Sequence, residues 1–253
     1  MEVEVFRKIY ALQKGGWWFG NARNKLVISL LKDMYADLDK KKLLDVGCSE
    51  GAFLDYLKKN KLDFMAIDVD ENAINFCKER GFEKNIRYGS ILDIPFKENT
   101  FDIVTALDVI EHVEDDIRAL GEMKRVCKKD GILFLIVPAH KWLWSSNDDA
   151  YHHHRRYNIG RIRYIAKECE LKILTISHFN ILLLPLFVFL TFLKKLFPNK
   201  KSSNVLKPLP KPLNKVLSWI MDAEIGIVKR SVQKRKPGPL GSSYVVILKK
   251  SRA

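Results

Sequence analysis

The segment LLDVGCSEG, residues 43 to 51, constrains the chain more than any other: an apolar run closes on Asp45, then breaks into a turn carrying Gly47, Cys48, Ser49 and Gly51 before a helical pattern begins. Glycine adopts backbone angles that a Cβ disfavours, so a strand can turn into a helix there with its main chain close to a ligand. A second carboxylate, Asp68, ends the next apolar run about 20 residues later, the spacing at which an acid accepts hydrogen bonds from the ribose hydroxyls of an adenosine. Taken singly, Gly47 and Gly51 also suit an ordinary turn, and Asp68 suits a helix cap.

From residue 41 to 137, short apolar runs alternate with amphipathic segments, the pattern of repeated strand and helix units in a parallel sheet. The expected strands are KKLLDV, DFMAID, NIRYG, FDIVTAL and GILFLIV, with helices at 51–60, 71–80 and 115–129 and a turn at Asp130 and Gly131. Ahead of them, residues 20–36 place Leu26, Leu30, Leu31 and Met34 on one helical face, next to the aromatic cluster Trp17, Trp18 and Phe19. Behind them come a polar and aromatic loop at 138–157, a helix at 158–170 and a strand at 171–178. An uncharged apolar run (181–193), a Pro/Lys/Ser-rich linker and an amphipathic segment (212–230) then lead to a final strand, YVVILKK.

The net charge of +14 is unevenly distributed. From Lys194 onward, 15 Lys and Arg face only Asp222 and Glu224, whereas the preceding residues carry 29 bases and 28 acids. Such a basic block suits a polyanionic partner, either an anionic membrane surface or nucleic acid, or forms a solvated face. Cys48, Cys77, Cys127 and Cys169 form no C-x-x-C pair, so they are read as reduced thiols. The acidic N-terminal residues lack the pattern of a secretory signal, and a cytoplasmic location is expected.

With these residues on the page, the first block resembles the class I S-adenosylmethionine-dependent methyltransferases, whose first motif is similar to D-V-G-C-G-x-G; Ser49 stands at the middle glycine. GSILDIPF (89–96), FDIVTALDVIEHV (101–113) and VCKKDGILFLIVP (126–138) match that family's later blocks in order and spacing. The resemblance implies an α/β, Rossmann-like seven-stranded sheet with its last strand antiparallel, and S-adenosyl-L-methionine as cofactor. It implies cofactor contacts from Asp45, Gly47, Cys48, Ser49, Gly51, Asp68 and Val69, with Ile91 and Leu92 flanking adenine, Asp93 on its amino group, and Leu107 along the methionine side. A nicotinamide dehydrogenase would carry G-x-G-x-x-G, which is absent from this turn. The implied organisation is an N-terminal helical lid (1–40), a catalytic domain (41–180), a helical apolar and basic insertion (181–240) and a closing strand (241–253).

KGGWWFGNAR, WSSNDDAYHHHRRY and KPGPLGSSYVVILKK further resemble a subgroup with W-W-F-x-x-x-R, W-S-x-x-D and G-H-x-R-R-Y elements, His152 standing at the subgroup's glycine. That likeness places Trp18, Arg23, Asp148, Arg155 and Arg156 on the substrate, and implies a saccharide-containing, lipid-linked or small acceptor. Methyl transfer from a sulfonium is an in-line displacement that depends on positioning, and an oxygen nucleophile gains from a base. His153 is the first candidate for that base, with His112, His140 and Tyr157 as further catalytic candidates; beside Glu111, His112 also suits a packing or capping role. Arg155 and Arg156 suit either a substrate anion or pairing with Asp148 and Asp149. No metal site is expected from His152, His153 and His154, because three consecutive side chains do not converge on one ion.

The apolar run at 181–193 is shorter than the roughly 20 residues that span a bilayer. Followed by Lys194, Lys195, Lys200 and Lys201, it suits peripheral contact with the inner face of a membrane, or else a lid or dimer helix. An RNA methyltransferase is the alternative, although Phe197, Trp219 and Tyr244 are the tail's only stacking residues and no N-P-P-Y block is present. A non-catalytic, cofactor-binding membrane adaptor is the third reading.

Overall fold

The apolar runs pair as seven strands in a computed structural model that describes residues 3–15, 17–196 and 209–251. In chain order the elements are α1 (Val3–Lys14), α2 (Trp18–Met34), β1 (Lys42–Val46), α3 (Ala52–Lys59), β2 (Asp63–Asp68), α4 (Glu71–Cys77) and β3 (Ile86–Tyr88). They continue as β4 (Phe101–Leu107), α5 (Asp116–Val126), β5 (Cys127–Pro138), α6 (Ser146–Ala150), α7 (Ile159–Glu168), β6 (Leu171–Phe179), α8 (Leu184–Leu196), α9 (Lys211–Gln233) and β7 (Ser243–Lys250). The sheet order is β3-β2-β1-β4-β5-β7-β6, with β7 antiparallel to both neighbours and β1 to β5 parallel. This is the expected seven-stranded α/β sheet.

Alternation along the strands supplies both faces of the core. Leu43, Ile103, Phe134, Val245 and Ile247 pack with Leu26 and Leu30 of α2, Leu54 and Leu57 of α3, and Met221 and Val228 of α9. Their chain neighbours Leu44, Val104, Leu133, Leu135 and Val246 face Leu120 and Met123 of α5 and Ile162 and Ile165 of α7. Side chains cap several helices: Asp70 accepts from the Asn72 N–H, Asp115 from Arg118 and Asn158 from Arg161.

Three local differences from the sequence reading have physical causes. Helix α5 ends at Val126, and the chain enters β5 at Cys127, four residues before GILFLIV. The KKD segment forms a bulge: Phe101 pairs with Cys127 and Ile103 with Ile132, while Asp130 sits at φ 64°. Helix α1 falls within the expected helical lid, which gave bounds only for the helix at 20–36, and is fixed by tertiary contacts: the Tyr10 hydroxyl donates to Asp55 at 2.9 Å, and the Arg80 guanidinium lies 3.6 Å from the Tyr10 ring centroid. Residues 138–157, read as loop, contain the short helix α6.

The segment before the last strand folds onto the sheet. Helix α9 lies along α2, with ion pairs Lys25–Asp222 at 2.8 Å and Lys229–Asp33 at 3.0 Å. Buried Glu224 accepts from the N–H groups of Ile181 and Leu182 just before α8. No helix among the described residues is long and apolar enough to cross a membrane. Lys200, Lys201 and Phe197 lie outside the described residues.

Met221 is fully buried where α9 meets the sheet. Truncation there leaves a cavity, so Met221→Ala costs about 2–5 kcal/mol in denaturant unfolding within one cooperative transition. A separate early transition would mean that α9 is detachable from the sheet.

Candidate functional site

Strand order reverses at β1: the chain moves outward through β2 and β3, then returns to β4 on the other side. Such a switch point opens a crevice at the carboxyl ends of the strands. Asp45 pairs in register with Thr105, whose hydroxyl donates to the Asp45 carboxylate at 2.6 Å. Beyond them the turn runs through Gly47, Ser49 and Gly51, all in the left-handed region at φ 73°, 51° and 73°. A Cβ on Gly47 would stand 2.7 Å from Cγ2 of Val109. Cys48 is buried at the same turn.

Asp68 supports this turn from β2. It accepts from the Ser49 N–H at 2.8 Å and the Asp70 N–H at 2.9 Å, leaving further lone pairs for ribose hydroxyls. Burial pushes its carboxyl above the ordinary range. Val69 follows it, exposed. The Gly89 N–H donates to the Asp68 carbonyl, so the loop bearing Ile91, Leu92 and Asp93 leaves β3 at that level. Ile91 is buried, Asp93 is exposed, and Leu107 closes β4 at the crevice. The expected cofactor residues therefore gather along the carboxyl ends of β1 to β4.

Arg23 of α2 reaches the same end of the sheet. Its Nη1 donates to Asp108 at 2.6 Å, and although burial disfavours the cation, Asp108 holds the guanidinium pKa above its ordinary value. Trp18, expected on the substrate, is partly buried beside Phe19, ring centroids 5.6 Å apart, and its backbone N–H donates to the Asn214 side chain of α9 at 3.3 Å.

The loop after β5 is organised by Asp148. Its carboxylate accepts from the Ser145 N–H at 2.9 Å in the α6 capping box, and from Arg156 Nε at 2.7 Å and Nη2 at 3.1 Å. Its Oδ1 also lies 3.0 Å from His153 Nδ1. Burial opposes the charge, yet His153 and Arg156 hold the Asp148 carboxyl down to about 2. With side-chain exposures of 1% and 7%, Asp148 and Arg156 form an internal ion pair. Arg155 pairs with Asp116 at 2.9 Å and donates to the Glu114 carbonyl. Asp148, Arg155 and Arg156, expected on the substrate, are engaged in these pairs, the partner of Arg155 being Asp116 rather than Asp149.

Tyr157, a catalytic candidate, is fully buried, and its hydroxyl is engaged with Asp116 at 3.1 Å and the Ile110 carbonyl at 3.2 Å. Burial and Asp116 push the phenol pKa far up. His140 stacks between Trp142 and His178, and its backbone N–H donates to the Tyr157 carbonyl at 2.8 Å.

Of the three consecutive histidines, His153 alone joins a cluster. His152 turns at φ 55°, a conformation that glycine adopts more easily, and the His154 N–H donates to the Glu111 carbonyl at 2.8 Å. The His153 ring meets His112 edge-on at 4.7 Å between centroids. Glu111 completes the group, with one ligand atom from each residue lying within 4.8 Å of the others. Glu111 was legible only as a neighbour of His112; the signal available was an acid and a histidine side by side after β4.

The buried Asp45 yields a pH test. Burial, opposed by the Thr105 hydroxyl and by Arg23, pushes its pKa from 3.8 to about 7. A carboxyl that holds its proton more tightly folded than unfolded stabilises the fold fully below about pH 4, and that stability is lost as pH rises to about 7. Asp45→Asn therefore flattens the fall in Tm across that interval; an unchanged slope would contradict the assignment.

Comparison with known proteins agrees with this geometry. Residues 44–135 match the model of a methyltransferase domain family. An uncharacterized protein of Methanocaldococcus jannaschii is 31% identical over 192 residues, 75% of this chain and 78% of that one. A probable S-adenosylmethionine-dependent methyltransferase of Mycolicibacterium smegmatis is 27% identical over 132 residues, 52% of this chain. The match spans 49% of that relative's length. Among solved structures, an S-adenosylmethionine-dependent methyltransferase from Archaeoglobus fulgidus superposes with a TM-score of 0.55 at 16% identity, covering 90% of this chain and 94% of that one. The chain belongs to the methyltransferase family, as an S-adenosylmethionine-dependent enzyme of the class I fold.

Proposed function

We propose that the enzyme methylates an oxygen of a small or lipid-linked, saccharide-containing acceptor at or near a membrane surface. The observation that carries the oxygen assignment is the Asp148–His153 pair at 3.0 Å, set beside Glu111 and His112 just beyond β4. With Nδ1–H directed at Asp148, the His153 ring keeps the Nε2 lone pair free to act on an acceptor hydroxyl. Arg156 holds Asp148 in place, so it acts as a positioning residue.

The cofactor reading is supported by the close approach at Gly47, where a Cβ would stand 2.7 Å from Cγ2 of Val109, so glycine lets the turn out of β1 lie against the β4 exit. Asp45, Gly47, Cys48, Ser49 and Gly51 would hold its methionine and ribose side, Asp68 and Val69 the ribose edge, and Ile91, Leu92 and Asp93 the adenine. S-adenosylmethionine supplies an electrophilic methyl group on a sulfonium. Leu107 and Arg23 bound the crevice near β4, and α1 and α2 serve as its lid.

The membrane component rests on α8 and α9. Leu186, Phe189 and Phe192 of α8 are exposed, the two rings at 57% and 58%, and Trp219 of α9 is 72% exposed. Exposed apolar side chains in a segment that also carries the basic excess suit an anionic lipid interface. The acceptor's saccharide character is supported by the likeness of the flanking elements.

Three outcomes are expected. Gly47→Ala weakens S-adenosylmethionine binding about tenfold or more in calorimetric titration, since a left-handed alanine costs about 1–2 kcal/mol; an unchanged Kd would contradict the cradle. With methyl-labelled cofactor and separate lipid, polar-metabolite and RNA fractions, wild type labels the lipid or polar fraction and His153→Ala labels none while binding cofactor normally. Label confined to RNA would favour the nucleic-acid reading, and no transfer to any fraction would favour the adaptor. In flotation, the protein rises with anionic liposomes; absence from both anionic and neutral vesicles would remove the membrane component.

A further inference from the structure

The geometry points to a divalent-cation site formed by Glu111, His112 and His153, an inference that rests on the oxygen-methylation reading for its use but not for its existence. Three observations converge on it. The first is the donor set: two imidazoles and a carboxylate with one ligand atom each inside a 4.8 Å radius of one another. Two histidines and one carboxylate leave coordination positions open and suit first-row divalent ions such as zinc.

The second is Glu111 itself. Its side chain is fully buried, and neither carboxylate oxygen has a hydrogen-bond partner. An unpaired buried carboxylate is costly, and protonation leaves a buried O–H that needs an acceptor. The charges around it are Asp108, Arg23 and Arg156. A cation between Glu111 and the two imidazoles satisfies the carboxylate directly.

The third is the shell behind the histidines. A metal-bound imidazole usually donates its other N–H to a carboxylate or a backbone carbonyl, which fixes the ring. His153 has Asp148 at Nδ1, itself clamped by Arg156, and His112 hydrogen-bonds the Tyr151 backbone. His112 is solvent-exposed, which provides an entry path. Ligand atoms about 2.0–2.1 Å from one ion stand roughly 3.3 Å apart, so binding draws the three side chains inward by small torsional changes.

The ion decides how the Nε2 lone pair of His153 is used: as a ligand, with the ion acidifying the acceptor. An acceptor hydroxyl drawn to an open coordination position has a lowered pKa and releases its proton to water. Its oxygen lone pair forms the new O–C bond to the methyl carbon as the C–S bond breaks. The electron pair of that bond stays on sulfur, leaving a neutral thioether.

The test uses the full chain stripped with chelator and titrated with zinc by calorimetry and with cobalt by visible absorption, without any acceptor. Wild type takes up one ion per chain. Glu111→Gln and His153→Ala each weaken uptake about tenfold or more while cofactor binding is retained, and His154→Ala binds as wild type does. No stoichiometric uptake by wild type overturns the site, as does uptake that neither Glu111→Gln nor His153→Ala alters. Should cofactor binding reveal that Glu111→Gln has unfolded, His153→Ala and the cobalt spectrum of wild type decide alone, a spectrum lacking imidazole coordination overturning the site. Uptake as expected with methyl label on nitrogen would overturn the oxygen reading and leave the ion site standing.

Discussion

The parallel pairing of β1 with β4 is the constraint on which the rest depends. It places Asp45 against Thr105 and opens a crevice between two strands whose connections leave in opposite directions. The turn out of β1 must then fold back within five residues, which it does through the left-handed residues Gly47, Ser49 and Gly51. Asp68 locks that turn from the neighbouring strand, and the β4 exit carries Asp108, Glu111 and His112 to the other wall. The proposed donor and acceptor sites meet because both begin at the ends of adjacent strands.

The loop that carries His153 is held by a separate set of buried charges. Asp148 and Asp116 each gather more than one basic side chain, Arg156 with the His153 imidazole in one case and Arg155 with Arg161 in the other. Removing one partner from such a buried pair leaves an uncompensated charge, so these groups fix the loop's shape strongly. The same arrangement turns Asp148 and Arg156 inward, and beside it the buried Glu111 carboxylate is left without a hydrogen-bond partner.

Much of the sheet was legible because each strand is short, apolar and bounded by turn residues, and the first turn contains its glycines. The start of β5 was not, since Asp130 and Gly131 mark a turn that the structure absorbs as a bulge within one strand. The bounds of helix α1 were not, since its residues are held by Tyr10 against Asp55 and Arg80, contacts 45 and 70 residues away in the chain. In the site, the His-Arg-Arg-Tyr segment was visible as a unit, yet its members divide: His153 turns to Glu111 and His112 across about 40 residues, while Arg156 and Tyr157 turn into the interior. Sequence spacing carries no information on such convergence. It follows from the crossing of the β5 loop over the end of β4.

The claim that methyl donor and acceptor-activating group face each other across the β1–β4 crevice is tested most directly by nuclear Overhauser contacts from enzyme-bound cofactor labelled with carbon-13 on its methyl group. The account predicts contacts from that methyl to the imidazole protons of His112 or His153, and to the Leu107 side chain. A bound methyl that contacts neither imidazole, with its nearest protons elsewhere in the chain, would contradict it.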